Sequence, residues 1–197
     1  MPVVQATRSV LPEEPVKEGE INGVRYLRLT IDGVTVRHDT SLSHLPAANN
    51  GYNPKGNLRH THPIRSGEFV AKVSVIKFFN AYNEKEAKTV ARSNGAKLAS
   101  LLEVCSFMDH VGRRELGYIT SQLLNDRRLT RKFCTGPYFG GLASRGDFCE
   151  GIEVAPFVSR GLKPSGDQDA LIFLPIGGNT PVDPNCFSVF THLPSLS

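Results

Sequence analysis

The sequence predicts an α+β fold: an antiparallel sheet with an N-terminal hairpin, a central pair of helices and a strand-and-loop C-terminal region. Three observations carry this. Apolar and polar residues alternate on both sides of Asp32-Gly33. A block opening at Asn83 repeats its apolar residues at helical spacing. From Gly136 onward, short apolar runs are divided by Pro and Gly.

Residues 1–20 hold Pro2, Pro12 and Pro15 beside Glu13 and Glu14, which disfavours both helix and central strand. They are expected as an extended N-terminal arm, with residues 21–197 forming one domain. Leu27, Leu29 and Ile31 alternate with Arg28 and Thr30, and after Asp32-Gly33 the alternation resumes at Val34 and Val36. An Asp-Gly pair between such runs is a strong signal for a two-residue hairpin loop. The register that follows sets Ile31 against Val34, Leu29 against Val36 and Leu27 against His38. On the other face it sets Thr30 against Thr35, Arg28 against Arg37 and Tyr26 against Asp39.

Residues 41–67 are rich in Pro, Asn and Gly and read as a long loop. A strand over Phe69–Phe79 follows, with Phe69, Ala71, Val73 and Val75 facing one way and Lys72 and Ser74 the other. Asn83 with Glu86 makes a capping box for a helix whose stripe runs from Ala87 to Cys105, with Gly95 weakening its middle. A second helix carries Leu116, Ile119, Leu123 and Leu124. Tyr138, Phe139, Gly140, Gly141 and Gly146 read as loops. The stretches 152–158, 170–176 and 187–192 read as short strands, the second of them continuously apolar and buried.

The chain has 197 residues, enough for one self-sufficient core. It shows no apolar run near the roughly 20 residues that cross a bilayer, and Met1–Val10 lacks the layout of a signal peptide. A cytoplasmic protein without a membrane partner is the expectation. Cys105, Cys134, Cys149 and Cys186 are scattered without paired spacing, so they read as reduced thiols. The net charge of +4, from 23 basic and 19 acidic residues, permits an anionic partner without requiring one.

His60-Thr61-His62-Pro63 resembles the H-[ST]-H-P signature of JAMM-type zinc peptidases, in which two His hold zinc. That family also needs a Ser and a ligating Asp about ten residues downstream, whereas the next Asp after Pro63 is Asp109. A looser possibility is a metal-dependent hydrolase built from His38, His44, His60 and His62 with Asp39 or Glu68. No Ser or Cys lies in a nucleophile elbow. Gly136–Gly141 lacks the Lys-Ser/Thr of a phosphate-binding loop, and Arg145-Gly146-Asp147 reads as a chance tripeptide.

Basic residues give the favoured reading. Arg28 facing Arg37 across a strand pair would repel unless something anionic neutralised both. Tyr26 and Lys72 on the same face would add base stacking and a backbone contact. Arg113–Lys132 holds six basic residues, among them Arg127, Arg128, Arg131 and Lys132, against Glu115 and Asp126. The sequence therefore predicts a non-enzymatic protein that needs no cofactor. It would bind nucleic acid (RNA or DNA), assemble around it in the manner of a viral or phage coat, or both. An inhibitor-type protein binding an acidic protein surface is the further alternative.

Overall fold

In the computed structural model, which describes residues 16–37, 68–111, 122–123, 138–143, 147–149, 152–159, 170–177 and 179–192, the first hairpin turns at Asn22-Gly23. Strand β1 (Lys17–Ile21) pairs antiparallel with β2 (Val24–Arg37), Ile21 opposite Val24. Asn22 and Gly23 both take positive φ, 52° and 78°, as a two-residue loop between twisted strands requires. The sheet thus takes in the end of the stretch expected as an arm.

Asp32-Gly33 is not a turn. The chain continues straight through it, and β2 pairs along its length with β3 (Glu68–Phe78). Ile31 lies opposite Val73 and Val34 opposite Ala71, so two residues of β2 face the single Lys72. This is a β-bulge, with Gly33 at φ +70° and its N–H donating to Asp32 Oδ1 at 2.9 Å. The three-residue step from Ile31 to Val34 would otherwise send Val34 and Val36 to the opposite face. The bulge absorbs the extra residue, so Leu29, Ile31, Val34 and Val36 stay in one buried row. A turn and a bulge correct the same break in phase, which is why the expected hairpin found the buried row while misplacing the pairing.

Helix α1 (Glu84–Ser93) starts at the expected cap: Asn83 Oδ1 accepts from Glu86 N at 3.0 Å, and Glu86 Oε2 accepts from Asn83 N at 2.9 Å. The expected continuation to Cys105 does not occur. The chain leaves the helix at Asn94-Gly95, forms β4 (Ala96–Leu98), and re-enters helix as α2 (Leu101–Val111). A second capping box opens α2. Ser100 N donates to Glu103 Oε2 at 2.7 Å, and Glu103 N donates to Ser100 Oγ at 3.3 Å. The Ser100-x-x-Glu103 pattern was visible in the sequence but submerged in the helical period of its neighbours. Leu123 has helical backbone; most of the second expected helix lies outside the described residues.

The remaining strands are β5 (Tyr138–Gly140), β6 (Asp147–Cys149), β7 (Ile152–Ser159), β8 (Ala170–Pro175) and β9 (Cys186–His192). Strand β5 forms where Tyr138, Phe139 and Gly140 read as loop from the sequence. Gly140 instead serves close packing, since a Cβ there would lie 2.5 Å from the Phe157 ring. Among the described residues the sheet runs β1-β2-β3-β9-β5-β7-β6, with β4 on β9 and β8 on β7. Of its pairs only β5 with β9 is parallel.

The protein is therefore a mixed α/β fold with helices on both faces of one sheet. On one face α2 packs Leu101, Val104, Phe107 and Met108 against Leu29, Val34, Val73, Val75, Phe187 and Val189. On the other, α1 packs Ala87, Val90 and Ala91 against Tyr26, Ile76, Phe78 and Phe190. Each such large side chain, taken fully from water, contributes about 1.5–3 kcal/mol. Among the described residues no helix is long and apolar enough to cross a membrane.

The bulge is open to a direct test. Among the described residues no atom lies within 4 Å of a Cβ built on Gly33, so Gly33→Ala isolates backbone strain from packing. The left-handed conformation should cost Ala about 1–2 kcal/mol, read as a lower urea midpoint with an unchanged slope.

Candidate functional site

Alternation along the three central strands brings one polar band together. On the face that α1 covers, β2 presents Tyr26, Arg28 and Thr30, and β3 presents Phe78, Ile76 and Ser74 opposite them. Strand β9 adds Phe190 opposite Ser74, and His192 follows two residues on. Helix α1 covers the apolar end, Tyr26, Ile76, Phe78 and Phe190. Where α1 stops, the face becomes polar.

Asn94, the C-cap of α1, joins the two zones. Its Nδ2 donates to Val90 O at 2.7 Å and to the Tyr26 hydroxyl at 3.1 Å, while its Oδ1 accepts from the Arg28 guanidinium. A hydrogen bond to a charged group contributes about 1.5–3 kcal/mol, so Arg28 is held in place by a neutral partner. Among the described residues no carboxylate pairs with Arg28. Lys72 lies on the same face across the bulge, 3.8 Å from Asp32 with both side chains exposed. Such a pair contributes about 1 kcal/mol at most and leaves Lys72 able to meet another anion.

A chain of hydroxyls crosses the band. Thr30 Oγ1 is 2.8 Å from Ser74 Oγ, which is 2.7 Å from His192 Nε2. Each contact can run in either direction. The Ser–His distance would suit a nucleophile and its base. Ser74, however, is fully buried, and its oxygen is already shared with Thr30, so the chain ties β2, β3 and β9 together and offers no reactive oxygen to solvent. Burial holds the His192 imidazole below its usual pKa of 6.5, reinforced by Lys72 and Arg28 and opposed by Asp32.

The structure separates residues that the sequence pattern joins. Arg28 lies opposite Ile76 and Lys17, and Arg37 opposite Glu68, so the two Arg do not face each other. They therefore do not repel each other across a strand pair, because pairing with β3 replaces the hairpin that would have opposed them. Tyr26 is buried, its ring tilted against Phe78 at 6.4 Å, and shows no face to a base. Arg28 and Lys72 do share the expected face. The side chains of Arg37 and Glu68, and the whole of Arg127, Arg128, Arg131 and Lys132, lie outside the described residues. So do His38, His44, His60, His62 and Asp39. Among the described residues no three His, Cys, Asp or Glu are grouped to hold a metal.

Sequence reasoning missed His192, which lies 118 positions from Ser74 and carries no local signal. It also missed Phe79, an exposed ring with the Arg25 guanidinium 4.5 Å and the Lys77 ammonium 5.7 Å from its centre. Lys77 and Phe79 were legible as neighbours on one strand face; Arg25 joins them only through the register. Glu18 bonds Arg25 at 2.5 Å, so this second cluster carries less free charge than the band.

The comparisons with known proteins identify no relative: no family model matches the chain, and no curated protein or solved structure is significantly similar to it.

The His192 environment sets a pH dependence of stability. With the folded pKa below 6.5, the unfolded chain binds the proton more readily. The contribution is therefore complete above about pH 6.5 and is lost as pH falls toward the folded value. Denaturant midpoints should fall as pH drops below about 6.5, and His192→Gln should flatten part of that decline.

Proposed function

We propose that this protein is a non-enzymatic nucleic-acid-binding protein that contacts phosphates through the polar band. The carrying observation is Arg28, oriented by the neutral Asn94 amide and lacking a carboxylate partner among the described residues, on one sheet face with Lys72. A fixed guanidinium suits a phosphate oxygen pair, and an exposed ammonium suits a second phosphate as a point charge. Contacts of this kind give affinity that falls with salt and carry no base readout. The buried Tyr26 removes the aromatic platform from this face, so the binding is to the backbone. The basic residues Arg127, Arg128, Arg131 and Lys132 would extend the phosphate contacts, and Arg37 would lie farther along β2.

The reading suits a small coat-type or assembly protein, viral or phage-encoded and working in the cytoplasm, that binds RNA or DNA and associates with itself around it. An acidic protein surface is the competing partner, since it would meet the same cations.

Arg28→Gln with Lys72→Gln tests the reading, because Gln can keep a hydrogen bond to Asn94. Affinity for a single-stranded oligothymidylate should fall. The log–log salt slope should flatten by about 0.7 for each phosphate that is no longer neutralised. Arg127→Glu with Arg128→Glu should weaken binding further while leaving thermal stability nearly unchanged, since both follow the apolar stripe that ends at Leu124. An unchanged slope in both double variants would overturn the proposal. So would equal binding of wild type to an oligoglutamate of matched charge, which would favour the protein partner.

A further inference from the structure

We propose that His192 is a third ligand of the phosphate site and that anion binding there takes up a proton. This rests on the reading of Arg28 and Lys72 as phosphate contacts and adds to it how the site is regulated.

The geometry prepares His192 for both charge states. In the neutral ring Nε2 can accept from Ser74 Oγ, 2.7 Å away. In the imidazolium Nε2–H donates to the same oxygen, and the Ser74 hydroxyl turns its proton to Thr30 Oγ1 at 2.8 Å. Because either atom of both contacts can be the donor, protonation breaks no hydrogen bond in the chain. Among the described residues nothing bonds the other ring nitrogen, Nδ1, which in the imidazolium is a charged donor. The ring is half-buried, so an anion bound at it would lie partly out of water, where charge–charge attraction is stronger than in bulk solvent.

Burial disfavours the charged ring first, and the charges around it act next. From β2 come Arg28 and Asp32, and from β3 comes Lys72. Strand β4 pairs Ala96 against His192, while its Lys97 lies on the other face and bonds Glu103 at 2.7 Å. Arg92, in the last turn of α1, is exposed to solvent. In the free protein two cations therefore oppose protonation and one carboxylate favours it. A phosphodiester between Arg28 and Lys72 offsets their charge, and the balance at His192 turns toward the imidazolium. The reaction is anion plus neutral imidazole plus a solvent proton, giving an imidazolium–phosphate contact. No covalent bond changes.

The test is the affinity of full-length protein for an oligothymidylate, whose backbone charge is constant between about pH 5.5 and about pH 8, at fixed ionic strength. Wild type should bind more tightly as pH falls, by up to about tenfold per pH unit between the free and bound pKa of His192, and level off on either side. His192→Gln should lose this pH dependence and bind with one affinity across the range. A flat wild-type profile, or a slope that persists in His192→Gln, overturns the role of His192. Loss of binding in Arg28→Gln with Lys72→Gln would still uphold the phosphate site in that case. No binding at any pH, or binding indifferent to Arg28 and Lys72, overturns both. Should His192→Gln fail to fold, the His192 ring protons of the wild type give the answer by NMR titration. Their pKa should rise on adding the oligonucleotide, and an unchanged value overturns the proposal.

Discussion

Burial of the central strands on both faces is the constraint on which the rest of the structure depends. Strand β3 packs Val73 and Val75 under α2 and Ile76 and Phe78 under α1. Strand β9 does the same with Phe187 and Val189 on one face and Phe190 on the other. Polar side chains in such strands must find partners inside the protein, because an unpaired buried group costs about 1–3 kcal/mol. Ser74 bonds Thr30 and His192, while Ser188 donates to the Tyr82 hydroxyl at 3.0 Å, and that hydroxyl donates to Cys186 O at 2.6 Å. Full burial of Tyr82 raises its hydroxyl well above the ordinary pKa of 10, so it stays a neutral donor. The same desolvation pushes the Cys186 thiol up to about 12, which makes it an inert core residue. Thr191 Oγ1 is the exception, buried and without a partner among the described residues.

The length of α1 then decides where that burial ends. Ten residues from the Asn83 cap bring the helix to Ser93, and the face beyond it holds Arg28, Ser74, His192 and Lys72. Asn94 closes the helix and orients Arg28 with the same amide. One residue thus couples the end of a hydrophobic layer to the start of a charged one. The candidate site is a consequence of the packing, since its cations occupy the part of the sheet that α1 does not reach.

Legibility of the fold followed the range of the signal. The Asn83–Glu86 box and the alternation over β3 are legible because each is a local pattern. Short strands near residues 152–159, 170–175 and 186–192 are legible as runs bounded by turn residues. The site is legible only in part. Alternation places Arg28 and Lys72 on one face, but it also puts Tyr26 on the surface, because a polar neighbour pattern cannot reveal a helix laid over it.

What the sequence by itself determined is the set of local decisions: which segments alternate, where α1 begins, and that something must correct the phase between Ile31 and Val34. These rest on backbone geometry and on contacts a few residues apart. The tertiary structure decided whether that correction is a turn or a bulge. A hairpin at Asp32-Gly33 would pair β2 with itself. The bulge instead leaves all of β2 free to lie along β3, and the loop at Asn22-Gly23 already supplies the turn. The same long-range pairing separated Arg28 from Arg37, divided the expected long helix with a strand that completes the edge of β9, and brought His192 to Ser74. These are choices between strand partners far apart in the chain. They are set by which pairing buries the most apolar surface on both faces of the sheet, a quantity no short window of sequence contains.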